Sequence, residues 1–361
     1  MSNKKQRTTL EIEISPAFLI IFIVTIVLLV SLVVGLFVVM NRDKGPVVGG
    51  GSSGGGKTPS GEEVPVGGGP LYPTVETRES YKPTTSDSVV NIGDNINANN
   101  AMLVKVTGTG LVSTHEKGAD TKIYPASITK IMTLIVACER VTNLDVELEV
   151  TAELTKYMED NEGSGAGLKI GDKYSIEDLL YLINYQSDTI ACLLIAEHIA
   201  GSEEAFVALM NQKAAQLGMS GTRFANCTGL YNENHYSTCR DIATMMAYSL
   251  DNALAYSCIS SYEGRAMVVG GVDCKFYAAW YSGRGNSLGF SDRPNLDTVK
   301  VLGGKTGYTD ESGFTFVTIA QDKNDSSVKY INVMIGKPKG QGYNATLFMN
   351  DYKKIYNTYA K

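Results

Sequence analysis

Three short strings in this sequence hold side chains suited to acyl transfer. In YPASITKIMTLIVACE, Pro125 introduces a helix, Ser127 lies in its first turn and Lys130 follows three residues on, so hydroxyl and amine share a helix face. A serine hydroxyl is a poor nucleophile until a base takes its proton, and a lysine can be that base once desolvation or a second cation lowers its pKa. The helix start adds backbone N–H groups and a positive dipole end, both suited to a developing oxyanion. In GGKTGYTDESG, the residues Lys305, Thr306, Gly307, Tyr308 and Thr309 lie at the end of a predicted strand. There Lys305 can hold an anionic group and depress the pKa of Lys130, Thr306 can donate to a carboxylate, and Gly307 lets a substrate backbone approach closely. The third string, NYQSDTIACLLIAEHIAG, carries Ser187, Asp188 and Thr189 at a loop-to-helix boundary.

Each string alone is weak, since a Ser-x-x-Lys pair arises about once by chance in a chain of this size. Their order carries more. Ser-x-x-Lys, Ser-Asp-Asn and Lys-Thr-Gly form the motif set of class A β-lactamases and penicillin-binding proteins, and this chain has them in that order, about 60 and 118 residues apart, with Thr189 in place of Asn. The stretches AGLKIGDKYSIEDLLY, AEHIAGSEEAFVALMNQKAAQLGM, FANCTGL and HYSTCRDIA add to the match. Over almost all of 96–361 the sequence resembles the S11 family of low-molecular-mass penicillin-binding proteins, the serine D-Ala-D-Ala carboxypeptidases.

That resemblance implies a mechanism and partners. Ser127 would be the acylated nucleophile, Lys130 its general base and Ser187 a proton relay toward the leaving group. Backbone N–H groups of Ser127 and Tyr308 would form the oxyanion hole, and the terminal D-Ala carboxylate would meet Thr306 and the field of Lys305, with Gly307, Thr309 and Thr189 lining the same site. The implied substrate is a peptidoglycan stem peptide, the implied inhibitors are β-lactams, and neither cofactor nor metal is called for. Thr189 departs from the pattern: its single short hydroxyl replaces an amide that both donates and accepts, and a Thr at a helix start is equally an ordinary cap neighbour. Two alternatives stay open. A class A-like β-lactamase would need a Glu-x-x-Leu-Asn segment for its deacylating water, which this chain lacks; a non-catalytic peptidoglycan-binding module is the reading that Thr189 motivates.

The elements that must position these residues occupy only part of the chain. Residues Ala17 to Met40 form an uncharged apolar run of 24 residues, and roughly 20 helical residues span a bilayer core. A cleaved signal peptide has a shorter apolar region, about 7–15 residues, so the run reads as an uncleaved signal anchor after a cytoplasmic tail, 1–16. Lys4, Lys5 and Arg7 precede it and Arg42 and Lys44 follow, a small bias; the outward orientation of the C-terminal side rests on the wall substrate. Residues 41–95 are rich in Gly, Ser and Pro and read as a flexible linker, reaching about 40 Å from its anchor. The remaining 96–361 is the catalytic domain.

Within it, Ala101–Val106 and Gly110–Ser113 predict a hairpin. Helical patterning covers Ser127–Glu139, Ile176–Tyr185, Thr189–Ala200, Ala205–Leu217 and Arg240–Leu250. Thr298–Lys305, Gly313–Ala320 and Lys329–Gly336 predict an antiparallel meander, followed by a last helix, Ala345–Tyr359. The expected fold is α/β of the α+β type: a β-lactamase/DD-peptidase-like antiparallel sheet, built from strands at both ends of the domain, flanked by a helical block and preceded by one transmembrane helix. The net charge of −6 gives no basic face for nucleic acid. Of six cysteines, Cys138 and Cys192 lie in apolar helical runs and read as core thiols, while Cys227, Cys239, Cys258 and Cys274 are candidates for extracellular pairing. His115, His198 and His235 are too scattered for a metal cluster or a Ser-His-Asp triad, His198 and His235 read as structural, and Asn226 reads as fixing a turn.

Overall fold

The computed structural model describes residues 81–108, 110–260, 264–276 and 296–361. The expected tail, membrane span and most of the linker lie outside the described residues, and among those described no helix is long and apolar enough to cross a membrane. The chain opens with β1 (Thr84–Asn91), β2 (Asn100–Thr107) and β3 (Gly110–Lys117), then a 3-10 turn at Ala126–Thr129 leading into α1 (Lys130–Cys138). There follow β4 (Glu147–Glu149), α2 (Ala152–Asp160), β5 (Lys173–Ser175), α3 (Ile176–Tyr185), α4 (Thr189–Ala200), α5 (Glu203–Gln216), α6 (Cys239–Leu250) and α7 (Ala253–Ser260). The hairpin β6 (Arg265–Val269) and β7 (Val272–Phe276) precedes β8 (Val299–Thr309), β9 (Gly313–Asp322), β10 (Lys329–Ile335) and α8 (Ala345–Tyr359).

Six strands form one sheet in the order β1-β3-β2-β10-β9-β8, so strands from both ends of the domain do share it. The central strands are covered on both faces, and side chains alternate between them. Met102, Val104, Val317, Ile319, Ile331 and Val333 face the helical block. Leu103, Phe316, Ala320, Tyr330 and Met334 face the other way, onto Phe348, Tyr352, Ile355 and Tyr356 of α8. Every residue of α1 is buried, as its apolar composition on all sides requires. Side-chain caps start the helices where the sequence offers them: Ser175 accepts from Asp178 N, Asp188 from Ala191 N, Ser202 from Ala205 N and Thr238 from Asp241 N, and Gly201 ends α4 in the left-handed conformation.

Some expectations need correction. The linker ends earlier than residue 95, because Thr84–Asn91 forms an edge strand, and that strand runs parallel to β3 in an otherwise antiparallel sheet. Its sequence, TTSDSVVN, is polar and mostly exposed, so it carries no core-facing pattern. The expected helix from Ser127 begins as a 3-10 turn and becomes α-helical only at Lys130. All six cysteines are free. The four candidates for pairing sit on separate elements, with Cys227, Cys239 and Cys258 buried as core thiols like Cys138 and Cys192.

One buried carboxylate locks α8 to the rest. Asp351 accepts from the backbone N–H groups of Asn97 and Ala98, each at 2.8 Å, from Asn97 Nδ2 at 3.1 Å and from the Tyr343 hydroxyl at 2.8 Å. Replacing it with alanine strands several donors, so Asp351→Ala is expected to lose roughly 3 kcal/mol of stability, read as a lowered midpoint in urea unfolding.

Candidate active site

The nucleophile turn is forced into shape by its neighbours. Ala126, buried and not a glycine, has φ +50°, a left-handed conformation that persists only where surroundings over-determine it. Thr315 of β9 donates its hydroxyl to the Pro125 carbonyl at 3.3 Å. Gly307 of β8 lies so close that a Cβ there would come within 2.8 Å of Ser127 N and 2.5 Å of Thr315 Oγ1. The Lys-Thr-Gly string therefore lies inside β8, which continues to Thr309, with its glycine against the backbone N–H of Ser127.

Lys130 is 1% exposed. Its Nζ lies 3.4 Å from Ser127 Oγ and donates to the Thr228 carbonyl. Burial pushes its pKa down, opposed by the thiols of Cys192 and Cys227 and by Asp188. A neutral amine at this distance has a lone pair for the Ser127 proton, and such hydrogen bonds are commonly long before substrate arrives. Lys305 is equally buried and donates to Ser187 Oγ at 3.1 Å and to the Thr306 carbonyl at 2.9 Å. Burial lowers it well below the usual ammonium range, and the neighbouring Lys130 charge adds to that. The expectation that Lys305 depresses Lys130 is corrected here: desolvation is what lowers Lys130, and the charge effect between the two amines falls on Lys305.

Ser187 is a second strained residue, with φ +54°. The loop after α2 stitches it in place: Ser164 Oγ donates to the Ser187 carbonyl at 2.7 Å, Thr189 N donates to the Ser164 carbonyl at 2.9 Å, and Ala166 N donates to Asp188 Oδ2 at 2.6 Å. Asp188 is the buried cap of α4, and its carboxyl pKa is raised by burial against the pull of the Ala166 and Ala191 N–H groups. Thr189 is buried, and a Cβ at Gly163 would come within 2.7 Å of its Oγ1, so its side chain lies beneath this loop.

The structure thus brings Ser127, Lys130, Ser187, Lys305, Thr306 and Gly307 together. Tyr308 is exposed at the rim, its ring 5.1 Å from that of Phe314 and its hydroxyl donating to Asp310 at 3.2 Å. Thr309 follows on β8, where its hydroxyl donates to Ser312 Oγ at 3.1 Å and accepts from Ser312 N at 3.1 Å, closing the β8–β9 turn. His198 is exposed in the last turn of α4, and His115 stacks on Tyr359 at 4.4 Å.

Sequence reasoning missed the loop that receives the lysine. Asn226 Oδ1 accepts from Thr228 N at 3.2 Å, Thr228 Oγ1 at 3.2 Å and Gly229 N at 2.7 Å, and its amide donates to the Leu230 carbonyl at 2.9 Å. Asn226 does fix a turn. The Thr228 carbonyl then meets Lys130, and the Cys227 carbonyl accepts from Thr133 of α1 at 2.6 Å. Only the Asn-x-x-Gly pattern could have pointed here, because every residue type offers a carbonyl.

The profile of the S11 peptidase family, D-alanyl-D-alanine carboxypeptidase, matches residues 85–339. This chain belongs to that family. It is 31% identical over 266 residues to D-alanyl-D-alanine carboxypeptidase DacF of Bacillus subtilis (strain 168), covering 73% of this chain and 64% of that one. It is 32% identical over 227 residues to D-alanyl-D-alanine carboxypeptidase DacC of Escherichia coli (strain K12), covering 61% and 52%. The chain therefore spans between half and two thirds of the length of these S11 relatives. The crystal structure of the Streptomyces K15 DD-transpeptidase aligns over 73% of this chain and 96% of its own, with a TM-score of 0.60 at 24% identity. A mixed α/β DD-peptidase fold is thereby shared.

Proposed function

We propose that this chain is a serine D-Ala-D-Ala carboxypeptidase of the S11 family, acting on peptidoglycan stem peptides and acylated by penicillin. The observation that carries the reading is the pairing of Ser127 Oγ with the buried Lys130 amine at 3.4 Å, facing the Lys305–Ser187 pair. Lys130 takes the Ser127 proton as Oγ bonds to the carbonyl carbon of the penultimate D-Ala. The oxyanion is received by the N–H groups of Ser127 and Tyr308. Ser187 passes a proton to the departing nitrogen, the C–N bond breaks and D-Ala leaves. Water, deprotonated along the same path, attacks the ester and frees the shortened peptide. Thr306 and Lys305 hold the terminal carboxylate.

Residues 17–40 anchor the protein in the cell membrane as a single span, 1–16 remain cytoplasmic, and the Gly/Ser/Pro-rich segment lets the catalytic domain sample the wall outside. Protease added to intact spheroplasts should cleave the C-terminal domain; full protection would reverse this orientation.

The test of activity uses the full chain in detergent, benzylpenicillin and a synthetic stem peptide ending in D-Ala-D-Ala. A covalent adduct mapped to Ser127, together with D-Ala release, is the expected outcome. Rapid penicillin turnover without D-Ala release would make it a β-lactamase, and peptide binding without an adduct would make it a non-catalytic wall-binding module.

A further inference from the structure

Next to the nucleophile lies a buried polar contact that the mechanism above does not use. Thr129, between Ser127 and Lys130, is fully buried, and its Oγ1 lies 2.7 Å from Nε2 of His235, itself 2% exposed. The other ring nitrogen, Nδ1, accepts from the backbone N–H of Ala225 at 3.3 Å. A backbone amide can only donate, so Nδ1 carries no proton, and the Nε2–H donates to Thr129 Oγ1. Burial, with the Lys130 charge beside it, pushes the imidazole pKa down to about 4, so the ring stays neutral across the physiological range, and the Ala225 N–H sets its tautomer.

The ring is itself firmly mounted. His235 N donates to the Asn232 carbonyl at 2.9 Å, Ser237 exchanges two backbone hydrogen bonds with Ile123, and Tyr236 exchanges two with Arg223. The imidazole therefore bridges two segments that must agree: the strained turn carrying Ser127 and Lys130, and the loop Ala225–Gly229 whose Thr228 carbonyl receives the Lys130 amine. A turn with Ala126 at φ +50° does not hold itself, and a side chain inside that turn is an effective place to restrain it.

We propose that His235 is a positioning residue which, through Thr129, holds the Ser127–Lys130 turn in register with the loop that receives the lysine. This rests on the acyl-transfer reading of Ser127 and Lys130. Two substitutions at His235 separate its two hydrogen bonds. Glutamine carries an N–H near the place of Nε2 and keeps the bond to Thr129; asparagine carries an acceptor near the place of Nδ1 and loses it.

The readouts, for the full chain with a chromogenic β-lactam, are the limiting acylation rate and the affinity of the complex before acylation. His235→Gln and Thr129→Ser are expected to acylate within about threefold of wild type, whereas His235→Asn and Thr129→Val slow acylation about tenfold or more with affinity unchanged. The His235→Asn/Thr129→Val double variant should be no slower than either single one. If His235→Asn does not fold, the nearly isosteric Thr129→Val reads the same contact from its other side. A folded Thr129→Val that keeps pace with wild type overturns the proposal, as does His235→Gln matching His235→Asn in slowness. A wild type that forms no adduct removes the acyl-transfer reading itself, a different result from variants that acylate normally.

Discussion

Replacing Lys130 with methionine is expected to slow acylation of Ser127 by roughly 10²–10⁴-fold, the usual contribution of a positioned general base, while the protein stays folded. The two effects have separate causes. Lys130 sits wholly inside the domain at the head of α1, where a charged amine is costly. Methionine has a similar volume and no charge to desolvate, so the variant gains on that count and loses about 1–3 kcal/mol for leaving the Thr228 carbonyl without its donor. The two nearly offset. The catalytic loss has no such compensation, since Lys130 is the amine hydrogen-bonded to Ser127 Oγ.

The sign of the pH dependence follows. Only the neutral amine can accept the Ser127 proton, and burial moves the Lys130 pKa downward, so acylation falls as pH drops through that depressed value and is full above it. Lys130→Met should lose this limb along with the rate, and Lys130→Arg, always protonated, should be equally slow. Stopped-flow acylation across the pH range measures both. A methionine variant that kept the wild-type limb would assign the base to another group.

How much of this was legible in the sequence depended on whether the information lay in side-chain pattern or in backbone approach. The helices Ile176–Tyr185 and Thr189–Ala200 could be bounded to the residue because apolar runs begin at capping Ser175 and Asp188 and the second ends at Gly201. The burial of α1 was legible from apolar residues on every side. The polar edge strand β1 was not, since it presents almost nothing to the core. The 3-10 start at Ser127 was equally hidden, because it is imposed by Gly307, Thr315 and Gly229 from elsewhere in the chain. For Thr309 the motif supplied the place on the strand but not the Ser312 hydroxyl that engages it. The Lys130 partner is a carbonyl, which leaves no mark on residue identity.

Gly229 is where that hidden backbone approach can be tested, and Gly229→Ala is expected to lower acylation about 100-fold or more together with roughly 2–4 kcal/mol of stability. The residue has φ +82°, and a Cβ added there would lie 2.1 Å from the Ala126 carbonyl oxygen, 2.5 Å from its carbon and 3.0 Å from Ser127 Cα. All three are backbone atoms, so no flexible side chain can yield. Gly218 provides the control: its φ is +71°, but nothing lies within 4 Å of the added carbon. Gly218→Ala bears the conformational cost alone, about 1 kcal/mol, and should acylate normally. Thermal unfolding and β-lactam acylation of the two variants therefore divide backbone strain from displacement of the nucleophile. If both variants behave alike, the close approach is without consequence. If Gly229→Ala alone loses acylation, the absence of a side chain there is what allows the Thr228 carbonyl, one residue earlier, to reach the Lys130 amine while Ser127 stays against β8.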